Sequence, residues 1–226
     1  MRSDLTGVRQ AMDDVVAPHD LLAHPFYQRW SEGSLTLEDL RFYSTQYWRQ
    51  VESFPGNLQT LAARCDGQVQ GALEDNAADE VEGDHPGLWR AFAEALGATD
   101  EVLEGTPAEP QTETCVRRFT EVCATGSVPF ALGMLYGYES QTPRVATTKV
   151  EALTEHYGID GAPAEYFRVH AFLDVEHRAA LADAIESVTE DDPEARREAI
   201  AGAEAGARAI STLLDGVERV VAANHG

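Results

Sequence analysis

VHAFLDVEH, residues 169–177, is the stretch on which the reading of this chain turns. On a helix, spacings of three and four residues bring side chains to one face, so His170, Asp174 and His177 project together while Glu176 falls on another side. Two imidazoles and a carboxylate on one face form a donor set suited to iron, manganese or zinc. The flanking Phe172, Leu173 and Val175 are apolar, which predicts a buried helix. A buried stripe of two His and one Asp needs partners, because unpaired buried charge is costly. The alternative is a solvated polar stripe.

Outward from this segment, nearly every long stretch carries helical periodicity, and no alternating apolar run bounded by hairpin turns appears. Helices are predicted at about 4–16, from Thr36 to about Ser53, and over about 57–80 after an interruption at Pro55-Gly56. Thr36 and Asp39 read as a capping pair. Gly83-Asp84-His85-Pro86 reads as a turn, with Pro86 suited to the start of a helix that ends at Gly97. An acidic loop at 99–110 precedes helices at about 111–124, 127–156, 163–187 and 193–223. The expectation is an all-α chain of seven or eight helices of bundle type, residues 1–226 forming one domain.

Two further segments offer partners for the His170 face. Glu139 closes the apolar run FALGMLYGYE, and Pro143 four residues on cannot donate to its carbonyl, which predicts a distorted backbone at the carboxylate. In DEVEGDH, residues 79–85, a helix end and the turn after it could aim Glu80 or Glu82, together with His85, at one point. Spacing alone leaves Glu80 and Glu82 open. Three carboxylates and three His from separate helices are how bundle-core di-iron sites are built. Carboxylate with imidazole favours iron or manganese over a thiolate-loving metal.

Composition narrows the partners. Thirty-nine acidic residues against 17 basic ones give a formal charge of -22. Nucleic acid and anionic membranes are poor partners for such a surface, since phosphate affinity rests on Lys and Arg. Sixteen of the basic residues are Arg and one, Lys149, is Lys. An acidic chain stripped of Lys reads as a halophilic protein, from a salt-rich cytoplasm where concentrated salt screens self-repulsion. Three Cys without a CxxC spacing fit reduced thiols in a cytoplasmic protein. The opening MRSDLTGVRQ has no apolar signal core, and no run of about twenty apolar residues occurs.

HPFYQRWSEG (24–33), DEVEGDHPGLW (79–89), YGYESQTPR (136–144) and VHAFLDVEH, in that order and spacing, resemble the haem-oxygenase-like dimetal oxidases. Within them the chain is most similar to the branch of the chlamydial protein associating with death domains. The resemblance spans about residues 20–185. It implies a haem-oxygenase-like (TenA/PqqC-like) helical bundle, usually a homodimer, holding two metal ions, Fe/Fe or Fe/Mn. The implied ligands are Glu80, His85, Glu139, His170, Asp174 and His177. The loop between the first Glu and His is two residues shorter than in the family, and Glu80 rather than Glu82 is the alignment choice.

The same branch implies a self-sacrificing synthesis of p-aminobenzoate, a folate precursor, with dioxygen as co-substrate and an external reductant. Tyr27 matches the tyrosine that is cut out, Lys149 the amino donor, and Tyr43 and Tyr138 the tyrosines that assist radical transfer. Without the resemblance all three tyrosines would read as packing residues. Lys149 stands out for a different reason. Arg keeps the charge but cannot act as an accessible amine nucleophile, and a chain that uses Arg everywhere else keeps Lys here. On a straight helix its ten-residue separation from Glu139 would span about 15 Å.

Other readings share the fold. A dimetal oxidase acting on a separate small molecule, such as a fatty acid or an amino acid derivative, would need the same ligands but not Tyr27 or Lys149. A thiaminase-like hydrolase needs a Cys nucleophile, and nothing pairs Cys115 or Cys123 with a base. A purely binding role through host death domains is not expected to carry over.

Overall fold

The computed structural model describes residues 7–225, so residues 4–6 of the first predicted helix lie outside the described residues. Eleven α-helices occur among the described residues, joined by turns and three short 3-10 segments, with no strand. In chain order they are α1 (Val8–Val16), α2 (Pro25–Ser31), α3 (Leu37–Ala62), α4 (Gly67–Glu82), α5 (His85–Ala95) and α6 (Asp100–Gly105). Then follow α7 (Pro110–Thr125), α8 (Val128–Glu139), α9 (Thr142–Tyr157), α10 (Glu165–Thr189) and α11 (Pro193–Asn224). The count exceeds seven or eight because short α2 and α6 occupy stretches read as loop and one long predicted helix is split in two.

α3 begins as its sequence predicts. The Thr36 hydroxyl accepts from the Asp39 N–H at 3.1 Å, and the Asp39 carboxylate accepts from the Thr36 N–H at 2.8 Å. This reciprocal pair satisfies two donors that a first turn leaves orphaned. The predicted interruption at Pro55-Gly56 does not occur, and α3 runs through Pro55 to Ala62. Proline costs one intrahelical hydrogen bond there, but Phe54, Pro55, Leu58 and Leu61 are buried against α4 and α7. Packing on both sides outweighs the local penalty, and the break falls instead at residues 63–66.

The stretch 127–156, predicted as one helix, breaks between Glu139 and Thr142. Pro143 sits in the first turn of α9, where a missing N–H costs nothing, rather than inside a continuous helix. Lys149 is therefore not locked to the helical phase of Glu139.

α8 lies unusually close to α11. A Cβ built on Gly133 or Gly137 would come within 2.0 or 2.1 Å of the carbonyl oxygens of Ala199 and Ala203. One on Gly202 or Gly206 would meet those of Phe130 and Met134 at 2.1 Å. Two small-residue stripes thus let the backbones touch. This pins the Glu139 end of α8 to the longest helix of the bundle, while α10 packs on α4, α8 and α9 to close the interior around it.

Candidate metal centre

Glu80 lies in the last turn of α4, and the chain turns back just after it. Asp84 adopts a left-handed conformation (φ 48°) and its side chain caps α5 by accepting from Gly87 N–H at 3.2 Å. Gly83 lets the His85 ring fold close beneath this turn, since a Cβ there would lie 2.9 Å from His85 Nε2. His85 Nδ1 consequently lies 3.0 Å from Glu80 Oε2, and His170 Nε2 from α10 lies 3.5 Å from Glu80 Oε1. Donor atoms of Glu80, His85 and His170 all fall within 4.8 Å of one another, and all three side chains are buried. Glu82 is exposed.

A second group adjoins the first. Asp174 and His177, one turn apart on α10, face each other with His177 Nδ1 at 3.3 Å from Asp174 Oδ1. Glu139 is buried beside them. The six residues so collected come from α4, α5, α8 and α10. Phe172 and Val175, expected to be buried with the same helix, are 77% and 56% exposed. Residues adjacent to the ligand face on a helix point to other sides, and here those sides are outward.

The electrostatics of the centre are those of three buried carboxylates in need of cations. Burial alone would raise the Glu80 carboxyl, but His170 and His85 beside it hold it down at about 2. Burial and the charge of Asp174 push Glu139 up to about 8. Burial works against the protonated rings of His170 and His177, yet Asp174, Glu80 and Glu139 raise both to about 9.

The donor atoms fit a metal. His85 Nε2 and Glu139 Oε2 are buried with no hydrogen-bond partner, and His85 Nδ1 and His177 Nδ1 meet their carboxylates without hydrogen-bond geometry, whereas buried polar groups of a native protein are normally satisfied. His170 Nδ1 lies 2.7 Å from the carbonyl of Tyr166, which orients the ring with Nε2 toward Glu80 as the nitrogen placed for a metal. Mixed carboxylate and imidazole donors suit iron and manganese.

The remaining sequence-predicted residues form a second cluster. Lys149 Nζ donates to Tyr43 Oη at 2.7 Å and to Tyr27 Oη at 2.9 Å, and the two phenols are 3.2 Å apart. The amine lies 4.3 to 5.4 Å from the ring centres of Tyr27, Tyr43, Trp30, Phe167 and Tyr47. Lys149 is 5% exposed, and burial drives its pKa well below that of a free lysine. Burial likewise pushes the Tyr27, Tyr43 and Tyr138 phenols up.

Three aromatic residues to which the sequence reading gave no role connect the clusters. Tyr47, one turn after Tyr43, donates to Tyr138 Oη at 3.2 Å and stacks on Trp89 at 5.2 Å. Trp89 meets Tyr166 edge-on at 4.8 Å, and Tyr166 lies 4.1 Å from the His170 ring. The i,i+4 spacing of Tyr43 and Tyr47 was the available signal. A cavity of about 20 Å³ lies between the clusters, touching Tyr27, Tyr47, Tyr138, Lys149, Tyr166 and His170.

Residues 41–211 match the family described as iron-containing redox enzymes. The 4-aminobenzoate synthase of Nitrosomonas europaea is 34% identical over 229 residues, 96% of this chain and 93% of that protein. That of Chlamydia trachomatis is 36% identical over 186 residues, 80% of each chain. A solved domain of Shewanella denitrificans with a haem-oxygenase-like fold superposes with a TM-score of 0.80 at 18% identity, covering 97% of this chain and 94% of that one. The chain belongs to the iron-containing redox enzymes, on a haem-oxygenase-like helical bundle, alongside the 4-aminobenzoate synthases of Nitrosomonas and Chlamydia.

Proposed function

We propose that this chain is a 4-aminobenzoate synthase that consumes its own Tyr27, with Lys149 as the nitrogen donor. Its similarity to curated 4-aminobenzoate synthases supports the product. The chemistry of the product supports the source. 4-Aminobenzoate is a benzene ring carrying one carboxylate carbon and, para to it, nitrogen; a tyrosine side chain is the same ring carrying one methylene carbon and, para to it, oxygen. Converting one to the other requires cutting Cα–Cβ, oxidising Cβ to a carboxylate with dioxygen as the oxidant, replacing the phenolic oxygen by the Lys149 nitrogen, and breaking the Lys149 Cε–Nζ bond so that the nitrogen leaves with the ring.

The observation that carries this reading is the 2.9 Å contact between Lys149 Nζ and Tyr27 Oη. Burial lowers the Lys149 pKa and so favours the neutral amine, whose lone pair is free while its N–H groups donate to the two phenols. Tyr43 orients the Tyr27 oxygen, and the aromatic cage keeps water from the reacting ring. Glu80, His85, Glu139, His170, Asp174 and His177 would hold two metal ions, iron with iron or iron with manganese. When bound, these supply the activation of dioxygen that an oxidation of this depth needs, with an external reductant. Tyr47, Trp89 and Tyr166 give a continuous aromatic route from Tyr43 to His170.

An oxidase for a separate fatty acid is less well supported, because the cavity between the clusters, about 20 Å³, is far too small for an acyl chain. The test is intact-mass spectrometry before and after Fe(II), oxygen and reductant. Mass lost at Tyr27 with 4-aminobenzoate released is the expected result. An unchanged chain that converts an added substrate overturns the reading.

A further inference from the structure

α4 does more than supply Glu80. Asn76 and Asp79 lie four residues and one residue before it, at spacings that put all three on neighbouring sides of the helix. Asn76 is buried, and its Nδ2 donates to Glu139 Oε1 at 2.8 Å, so that Glu139 Oε2 is the oxygen left without a partner. Asp79 Oδ2 lies 3.0 Å from His177 Nε2. That contact orients the ring with Nε2 toward Asp79 and Nδ1 toward Asp174 Oδ1, so Nδ1 is the nitrogen placed for a metal.

The two halves of the centre are therefore held in different ways. His170 is fixed by a backbone carbonyl, that of Tyr166. Glu139 and His177 are fixed by side chains, both from one helix that belongs to the other half. We infer that Asn76 and Asp79 are positioning residues for the Glu139–Asp174–His177 metal position, and that α4 is the strut that makes one metal position depend on the other. A carboxylate behind a ligating imidazole fixes its orientation and raises its basicity, and removing such partners costs about 10–100-fold in metal affinity. This inference rests on the reading that Glu139, Asp174 and His177 bind metal.

The test is an anaerobic Mn(II) titration of the full chain, with bound and free ion read by paramagnetic resonance. Wild type is expected to bind two ions and give the signal of a coupled pair. Asp79→Ala and Asn76→Leu are expected to bind one ion as wild type does and the other about 10–100-fold more weakly, leaving the signal of an isolated ion. Asp79→Asn, which keeps an acceptor but not the charge, falls between. Since Asn76 is buried, the half-exposed Asp79 carries the result should Asn76→Leu fail to fold. Both ions weakening together with a lower Tm is the outcome of a merely structural role and overturns the proposal. So do two ions at wild-type affinity in Asp79→Ala. Glu139→Gln separates this from the parent reading: if it too binds both ions as wild type does, the ligand assignment itself falls, and the proposal with it.

Discussion

Lys149 Nζ donates to Tyr27 Oη across 2.9 Å inside a cage of aromatic rings, and among the described residues no carboxylate pairs with the amine. Burial without a counter-charge depresses its pKa from 10.5, so protonation is resisted in the fold and free in the unfolded chain. A group of this kind contributes its full stability above the unfolded pKa and loses it as pH falls toward the folded one. Lys149→Met is therefore expected to gain stability relative to wild type as pH is lowered from about 10.5 toward neutral, measured by urea denaturation at each pH, and to release no 4-aminobenzoate. A constant difference across pH would mean the amine is charged in the fold.

The crossing of α8 and α11 makes a paired prediction. Gly137→Ala drives a methyl to 2.1 Å from a backbone carbonyl that cannot swing aside. The expected cost is about 1–3 kcal/mol, seen as a fall in Tm of roughly 2–4 °C per kcal/mol. Gly71, inside α4 with nothing within 4 Å of its added Cβ, is the control. Gly71→Ala is expected to stabilise by about 0.5–1 kcal/mol.

Metal binding carries a proton count. Glu139 at about 8 and His170 and His177 at about 9 hold protons at neutral pH that a cation displaces. Calorimetry of Mn(II) binding at pH 7 in buffers of different ionisation enthalpy should report proton release, and affinity should climb from about pH 6 to about pH 9. The same raised values predict the stability of chelated protein. Their contribution is complete below the unfolded pKa values, 4.5 for Glu139 and 6.5 for the two His, and is lost as pH rises through 8 and 9. Mn(II) should abolish that alkaline loss.

A formal charge of -22 repels itself. Raising KCl from about 0.1 M to about 1 M shortens the screening length from roughly 10 to 3 Å. We propose adaptation to a salt-rich cytoplasm, and expect Tm to rise by several degrees over that range. A flat or falling Tm would tie the acidity to something other than salt.

How much of this was legible depended on how local each signal is. His170, Asp174 and His177 share one helix, so period alone brought them together, and the all-α class followed from the same periodicity elsewhere. Pro55 was misread because the packing that holds α3 through it comes from α4 and α7, far away in sequence. The Lys149 contact could not be measured along α9, since its partner Tyr27 arrives from α2. Asp79 was invisible among so many acids, although its place beside Glu80 and three residues after Asn76 was there to be read. Phe172 and Val175 were expected inside because they flank buried residues, and a helix sends such neighbours outward.

Sixteen arginines and one buried lysine leave the folded surface with no side-chain amine. An acylating reagent therefore finds, beyond a free amino terminus, no amine to modify until the cage around Lys149 opens. The rate at which that single nitrogen is labelled is a clock for the breathing of the reaction chamber, readable by mass alone in the unaltered chain.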